Sequence, residues 1–136
     1  MPNINLVGVL LAGIIGMGVG ALWYGPLFGK QWIKLMGFSK ESMEKAKEKG
    51  MIKSYALSFV GQLVTAYALA ALVAFSAQYF GGFSYSLVFW VWLGFTVPLL
   101  LNNVLWEGKP WMLFALNAGH SLVQLMAMGV VINYLV

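Results

Sequence analysis

Hydrophobic and polar positions divide the chain into four uncharged apolar runs, separated by one long polar segment and two short links. Each run exceeds the ~20 residues that a helix needs to cross a hydrocarbon core of ~30 Å. The runs cover residues 4–24, 54–80, 84–106 and 111–136. The pattern therefore predicts four transmembrane helices within a single domain, residues 1–136.

The links between the later runs are too short to cross the membrane, because they consist of Gly81 and Gly82 and of residues 107–110. Consecutive helices joined in this way must be antiparallel neighbours. A closed barrel would also satisfy the backbone in lipid, but the runs lack the alternation of a barrel strand. The expected fold is an all-α, integral membrane, antiparallel four-helix bundle.

Composition supports a chain solvated mostly by lipid, since 61% of its 136 residues are hydrophobic and 9% are charged. In soluble domains about a quarter of all residues are charged. No room remains for a soluble catalytic module, and the absence of cysteine excludes disulfides and thiolate chemistry. Residues 1–3 lack the basic region of a cleaved signal peptide, so we expect the first helix to be retained.

Charge is confined almost entirely to the polar segment, where seven lysines and three glutamates lie between Lys30 and Lys53. The positive-inside rule places this segment, residues 25–53, in the cytoplasm, with both termini on the other side of an inner membrane. Because the net charge of +4 is local, we expect no nucleic-acid partner. A topology signal with a solvated face is the first interpretation of the lysines, and binding of anionic lipid is the alternative.

Two short helices are predicted within the polar segment. Pro26 should end the first membrane helix, and apolar residues at helical spacing from 27 to 36 indicate a helix lying in the membrane interface. Gly37 should end it. Ser39 can cap a second helix over residues 40–49, and Gly50 can terminate that one.

Small residues form stripes on the first two membrane helices, which favours close helix packing. Helix one, which we expect to be the most enclosed, carries Gly8, Ala12, Gly16 and Gly20; helix two carries Ala66, Ala70, Ala74 and Ala77, and a second stripe of Ser54, Ser58, Gly61 and Thr65. The surplus of close-packing faces indicates a homo-oligomer in the lipid bilayer. Packing within one chain is the alternative.

A layer of polar side chains is predicted in the cytoplasmic half of the membrane. Its members are Gln62, Thr65, Thr96, Asn102, Asn103, Asn117, His120, Ser121 and Gln124. The four on the last helix share one face, which should point inward. Pro98 adds an expected kink and a carbonyl without its helical donor.

The layer has two interpretations. Interhelical hydrogen bonds that fix the helix register are the ordinary one, at ~0.6 kcal/mol each. The alternative is a small polar cavity that binds or conducts a small molecule, with His120 as the group able to titrate near neutral pH. Metal binding at His120 would need a symmetric oligomer, because the chain has no second His, Cys or Asp. We therefore expect no metal and no cofactor.

Enzymatic activity is not expected. Glu107 is the only carboxylate outside the polar segment, and it lies at the membrane edge, far from His120. No phosphate-binding loop follows a strand, and helix one lacks the carboxylate expected of a proton-coupled multidrug exporter. The leading interpretation is a non-enzymatic, self-associating membrane protein, and the runner-up is a small-solute transporter or channel.

Two motifs resemble a known family. They are WYGPLFGKQW at residues 23–32, and WEGKP at 106–110 followed by NAGH at 117–120. Through them the whole chain resembles the bacterial four-helix membrane family catalogued as domain of unknown function 1761. The resemblance implies four spans and a bacterial or archaeal origin, and it brings no activity and no catalytic residue.

Overall fold

The computed structural model describes residues 4–80 and 85–135, and this part of the chain is helical without strands. Its α-helices are α1 (Leu6–Leu22), α2 (Gly29–Met36), α3 (Lys40–Glu48), α4 (Ile52–Phe80), α5 (Tyr85–Val91), α6 (Val97–Leu105) and α7 (Trp111–Leu135). Two π-helical turns, Trp23–Leu27 and Trp92–Thr96, follow α1 and join α5 to α6. The all-helical fold class is confirmed.

In the described residues, four helical segments are long and apolar enough to cross a membrane, as the sequence predicts. They are Leu6–Leu27, Ile52–Tyr79, Tyr85–Leu105 and Trp111–Tyr134, with mean hydropathies of 2.2, 1.8, 1.7 and 1.4. The predicted link at Gly81 and Gly82 lies outside the described residues, as do residues 1–3 and 136.

Helix ends follow local chemistry. Asn5 Oδ1 accepts hydrogen bonds from the backbone N–H groups of Val7 and Gly8, at 3.0 and 3.2 Å, and so starts α1. Ser39 and Ser42 cap α3 reciprocally through side chain and backbone. Gly37 ends α2 at a φ of 75°, a conformation that costs a residue with a Cβ more than it costs glycine.

Helix α7 is at the centre of the packing, because it contacts α1, α2, α4, α5 and α6. The expectation that helix one is the most enclosed is therefore wrong: α1 contacts mainly α4 and α7. The buried core joins these three helices to α5 through Val9, Ala12, Ala66, Leu69, Ala70, Val73, Val88, Leu125, Met128 and Ile132. Between residues 85 and 105, Val88 is the one fully buried side chain, so this span packs mainly on α7.

The two π turns place both intramembrane prolines where they break no regular α-helical ladder. Pro26 lies inside the first turn, next to Gly25 with φ −107° and ψ −106°. Pro98 lies in the first turn of α6, directly after the second π turn, where a missing N–H removes no α-helical hydrogen bond. The Val97 N–H bonds the Trp92 carbonyl five residues earlier, which replaces the simple kink expected at Pro98.

Candidate functional site

Gln62 of α4 and Gln124 of α7 are two members of the predicted layer that contact each other directly. The two side-chain amides bond each other reciprocally, with Nε2 to Oε1 distances of 3.4 and 2.9 Å. Each amide thus gives one donor and one acceptor to the other. The pair links α4 to α7 directly and leaves neither side chain dependent on water for its first hydrogen bond.

Asn117 is held by the end of the first span. The Tyr24 hydroxyl donates to Asn117 Oδ1 at 2.6 Å. On its own helix, the Ser121 hydroxyl donates to the Asn117 carbonyl at 2.9 Å, the usual way for serine to satisfy itself in an apolar helix. Both predicted residues therefore have partners from this chain.

His120 differs from its neighbours, because its Nε2 is buried and has no hydrogen-bond partner among the described residues. The ring lies against two aromatic side chains, with centroid distances of 4.8 Å to Tyr24 and 6.2 Å to Trp23. A Cβ added at Gly20 would lie 3.5 Å from Nε2, so the glycine leaves room there. This nitrogen can accept or donate one further hydrogen bond.

Two tryptophans bind the backbone of α7. Trp23 Nε1 donates to the Leu116 carbonyl at 3.1 Å, and Trp92 Nε1 donates to the Ala118 carbonyl at 2.8 Å. A carbonyl has two lone pairs, so each can keep its helical hydrogen bond and accept the indole as well. Each tryptophan is the first residue of a π turn. The predicted polar layer did not include Trp23, Tyr24 or Trp92.

The other predicted members of the layer lie apart from these contacts. Among the described residues, no side-chain hydrogen bond joins Thr65, Thr96, Asn102 or Asn103 to the Gln62–Gln124 pair or to Asn117. Asn102 is exposed, and the other three are half-buried. The carbonyls of Asn102 and Asn103 accept backbone N–H groups of Trp106 and Lys109. The structure therefore brings together part of the layer, centred on α7.

The small-residue stripes differ in their surroundings. Gly8, Ala12 and Gly16 are buried and Gly20 is half-buried, while Ala66 and Ala70 are buried and Ala74 is half-buried. A Cβ at Gly13 would lie 2.7 Å from Leu63 Cδ2, which shows how closely α1 and α4 approach. In contrast, Ser54, Ser58 and Gly61 are exposed.

The chemistry available in this region is that of neutral donors and acceptors. The part of the chain that the structure describes contains no group of three or more His, Cys, Asp or Glu side chains that could hold a metal ion. His120 supplies the one imidazole of the polar contacts. The arrangement can align helices and can bind one polar atom at Nε2.

Comparison of the sequence with protein-family models identifies a family. A model of the family described as "Protein of unknown function (DUF1761)" matches residues 7–133, which is nearly the whole chain. The chain belongs to the DUF1761 family. The resemblance seen in its two motifs is thereby confirmed, and membership assigns no activity. No curated protein and no solved structure matches the chain.

Proposed function

We propose that this DUF1761 protein is a non-enzymatic component of the inner membrane, an antiparallel four-helix bundle that self-associates through the outer face of α4. The lysine-rich residues 25–53 lie in the cytoplasm, as the positive-inside rule requires, and both chain ends lie on the opposite side. Its role is structural: the chain supplies a membrane-embedded assembly surface and catalyses no reaction.

The closed polar contacts support a structural role. Gln62 bonds Gln124 and Tyr24 bonds Asn117 directly, so these polar side chains are used to join helices. In the membrane, interhelical hydrogen bonds of this kind contribute up to ~1.7 kcal/mol and fix helix rotation. A solute pathway would instead need such groups to face a water-filled space.

The observation that carries self-association is Gly61 within a stripe of small, mostly exposed residues on α4, because open space alone is also found at Gly18 and Gly94. Gly13 and Gly16 each face a neighbouring side chain, so packing within the chain explains them, but a Cβ at Gly61 would meet nothing within 4 Å. Glycine inside a helix costs about 0.5–1 kcal/mol relative to alanine. At Gly61, no close contact within the chain offsets this loss of helix stability.

The surroundings of Gly61 match an interface between copies. Small residues recur on the same face of α4 at Ser54, Ser58, Thr65 and Ala68; of these, Thr65 is half-buried and the others are exposed. Beside this face, α1 and α4 enclose an apolar groove of about 540 Å³ whose lining includes Val60, Val64 and Ala68. Small residues let two helix backbones approach closely, and the adjoining groove can receive larger side chains from the partner copy.

Gly61→Leu is expected to abolish the oligomer and to leave the folded monomer intact, because the new side chain projects into open space within one chain and into the partner in the assembly. Subunit counting by single-molecule photobleaching in lipid bilayers measures this. Gly94→Leu is the matched control, since a Cβ at Gly94 on the third span also meets nothing within 4 Å. A monomeric wild-type protein, or equal effects of the two variants, would contradict the proposal.

The unpartnered Nε2 of His120 favours a second candidate function, a small-solute channel or transporter using the polar layer. A permeating molecule could bond this nitrogen next to Gly20. This candidate and the structural role make opposite predictions for permeability.

Under the structural proposal, vesicles containing the protein should shrink in hyperosmotic glycerol, by water efflux, and re-swell, by glycerol entry, no faster than protein-free vesicles, as measured by stopped-flow light scattering. The proposal expects the direct contacts Gln62–Gln124 and Tyr24–Asn117 to leave no continuous path for water or glycerol. Faster shrinkage or faster re-swelling that is lost in His120→Phe, and is retained in a control variant with the exposed amide removed, Asn102→Leu, would replace the structural role with the channel.

A further inference from the structure

A groove between the short helix α2 and the start of α7 lies beside the polar contacts without being part of them. It has a volume of about 320 Å³. Its lining is mainly apolar, with a polar edge, and consists of Phe28, Gln31, Lys34, Leu35, Met112 and Leu116. We propose that this groove binds one anionic phospholipid of the cytoplasmic leaflet, with an acyl chain against Met112 and Leu116 and the phosphate against Lys34 and Lys30.

Helix α2 is held against the end of the first span, which the proposal places at the membrane interface. It follows α1 after the π turn and the single residue Phe28, and it also contacts α7. Trp32 packs on Tyr24 with ring centroids 5.3 Å apart, and Phe28 packs on Trp23 at 4.7 Å. These contacts tie one side of α2 to the end of the first span.

The other side of α2 is basic. Lys30, Gln31 and Lys34 are exposed, and Lys30 lies one helical turn before Lys34 on the same face. Helix α2 contains no acidic residue, whereas α3 carries three lysines and three glutamates. Helix α2 therefore supplies the net positive charge that borders the groove.

The floor of the groove continues onto the outer surface of α7. Met112 is 65% exposed, and Leu116, one turn further into the membrane, is buried at the base. An acyl chain would lie along this apolar surface with its phosphate at the lysines, since basic pockets beside membrane helices on the cytoplasmic side bind anionic head groups. A zwitterionic lipid carries its own cation beside its phosphate and so gives the lysines no net counter-charge, and free phosphate would leave the apolar floor empty.

The proposal concerns a site within one chain and does not depend on self-association. Native mass spectrometry of the purified protein in mild detergent can test it, by titrating phosphatidylglycerol and phosphatidylcholine of identical acyl chains. We expect tighter binding of phosphatidylglycerol. At about fivefold in affinity for each lysine near an anionic group, K30Q/K34Q should weaken its binding about 25-fold and affect phosphatidylcholine little. The control K40Q/K49Q, with the same loss of charge outside the groove, should leave phosphatidylglycerol binding unchanged.

A second variant tests the apolar part of the site. Met112→Trp fills the groove and keeps both lysines, so it should weaken binding of both lipids. In a separate competition experiment on the wild type, excess inorganic phosphate should not displace phosphatidylglycerol. Equal affinity of the wild type for the two lipids, or equal losses in the two double-lysine variants, would overturn the proposal. Undiminished lipid binding by Met112→Trp would also overturn it, because the lipids would then be held by diffuse charge attraction. Displacement of phosphatidylglycerol by inorganic phosphate would overturn it as well.

Discussion

Gly16→Val is expected to lower the free energy of unfolding by about 2–4 kcal/mol, the sum of overpacking and a disturbed polar contact. A Cβ at Gly16 would meet the Gln62 side-chain amide and would lie 3.2 Å from Met128 Sδ. Met128 is fully buried, so it has no free space to occupy. Gln62 could withdraw only by giving up its bonds to Gln124.

The matched control is Gly18→Val, two residues along the same helix, where a Cβ meets nothing within 4 Å. Both variants introduce the same β-branched side chain into α1, so their difference isolates the contact with α4 and α7. Reversible unfolding in mixed micelles with increasing denaturing detergent measures both. Equal losses would show that valine itself, rather than the close approach at Gly16, destabilises α1.

Replacement of either glutamine of the α4–α7 pair by leucine is the other large effect expected. Gln62→Leu or Gln124→Leu leaves the remaining amide without its partner in an apolar environment, which costs about 1–3 kcal/mol. The double variant removes both polar groups and fills similar space with apolar atoms. It should therefore be more stable than the sum of the two single losses implies.

A double-mutant cycle of unfolding free energies measures this coupling, expected at about 0.6–1.7 kcal/mol from comparable membrane pairs. Gln31→Leu, on the exposed face of α2, controls for the general gain in hydrophobicity. If the two single losses simply add in the double variant, the amides act independently and the reciprocal hydrogen bond contributes nothing to folding.

The spans could be predicted from sequence because hydropathy and length decide them without knowledge of tertiary contacts. The loop helices could be predicted for a related reason, since Ser39, Gly37 and Gly50 act locally, through capping and positive φ. The centrality of α7 could not be predicted. Small residues on α1 predict close approach, but they do not reveal which helix touches the most neighbours.

Part of the polar layer was also accessible from sequence. Gln124 and Asn117 lie on the inward face of α7 because α7 is a regular helix, so spacing predicts rotation. Asn102 was placed with them by its depth, and its side chain is exposed instead. The π turn at Trp92–Thr96 adds a residue to one turn and so rotates all of α6 by about 100° relative to an uninterrupted helix. Spacing along an uninterrupted α-helix therefore gave the wrong direction for Asn102.

The contacts of Trp23 and Tyr24 could not be predicted from the sequence pattern. Aromatic residues near a span end are typical of the interfacial belt, and this explanation required no partner for them. Their bonds to Leu116 and Asn117 depend on how the end of the first span packs against α7, which spacing alone does not give. The motif that carries the family resemblance is thus also the segment that docks the first span onto the last.

The indole bonds of Trp23 and Trp92 constrain the order of events during biosynthesis. Both acceptors lie on α7, which leaves the ribosome after α1 to α6. Until then both N–H groups lack these acceptors, so the earlier spans cannot complete their packing. Nascent chains stalled before residue 111 should consequently remain open to proteases and chaperones, and the packing of α1 to α6 should be completed only when α7 inserts.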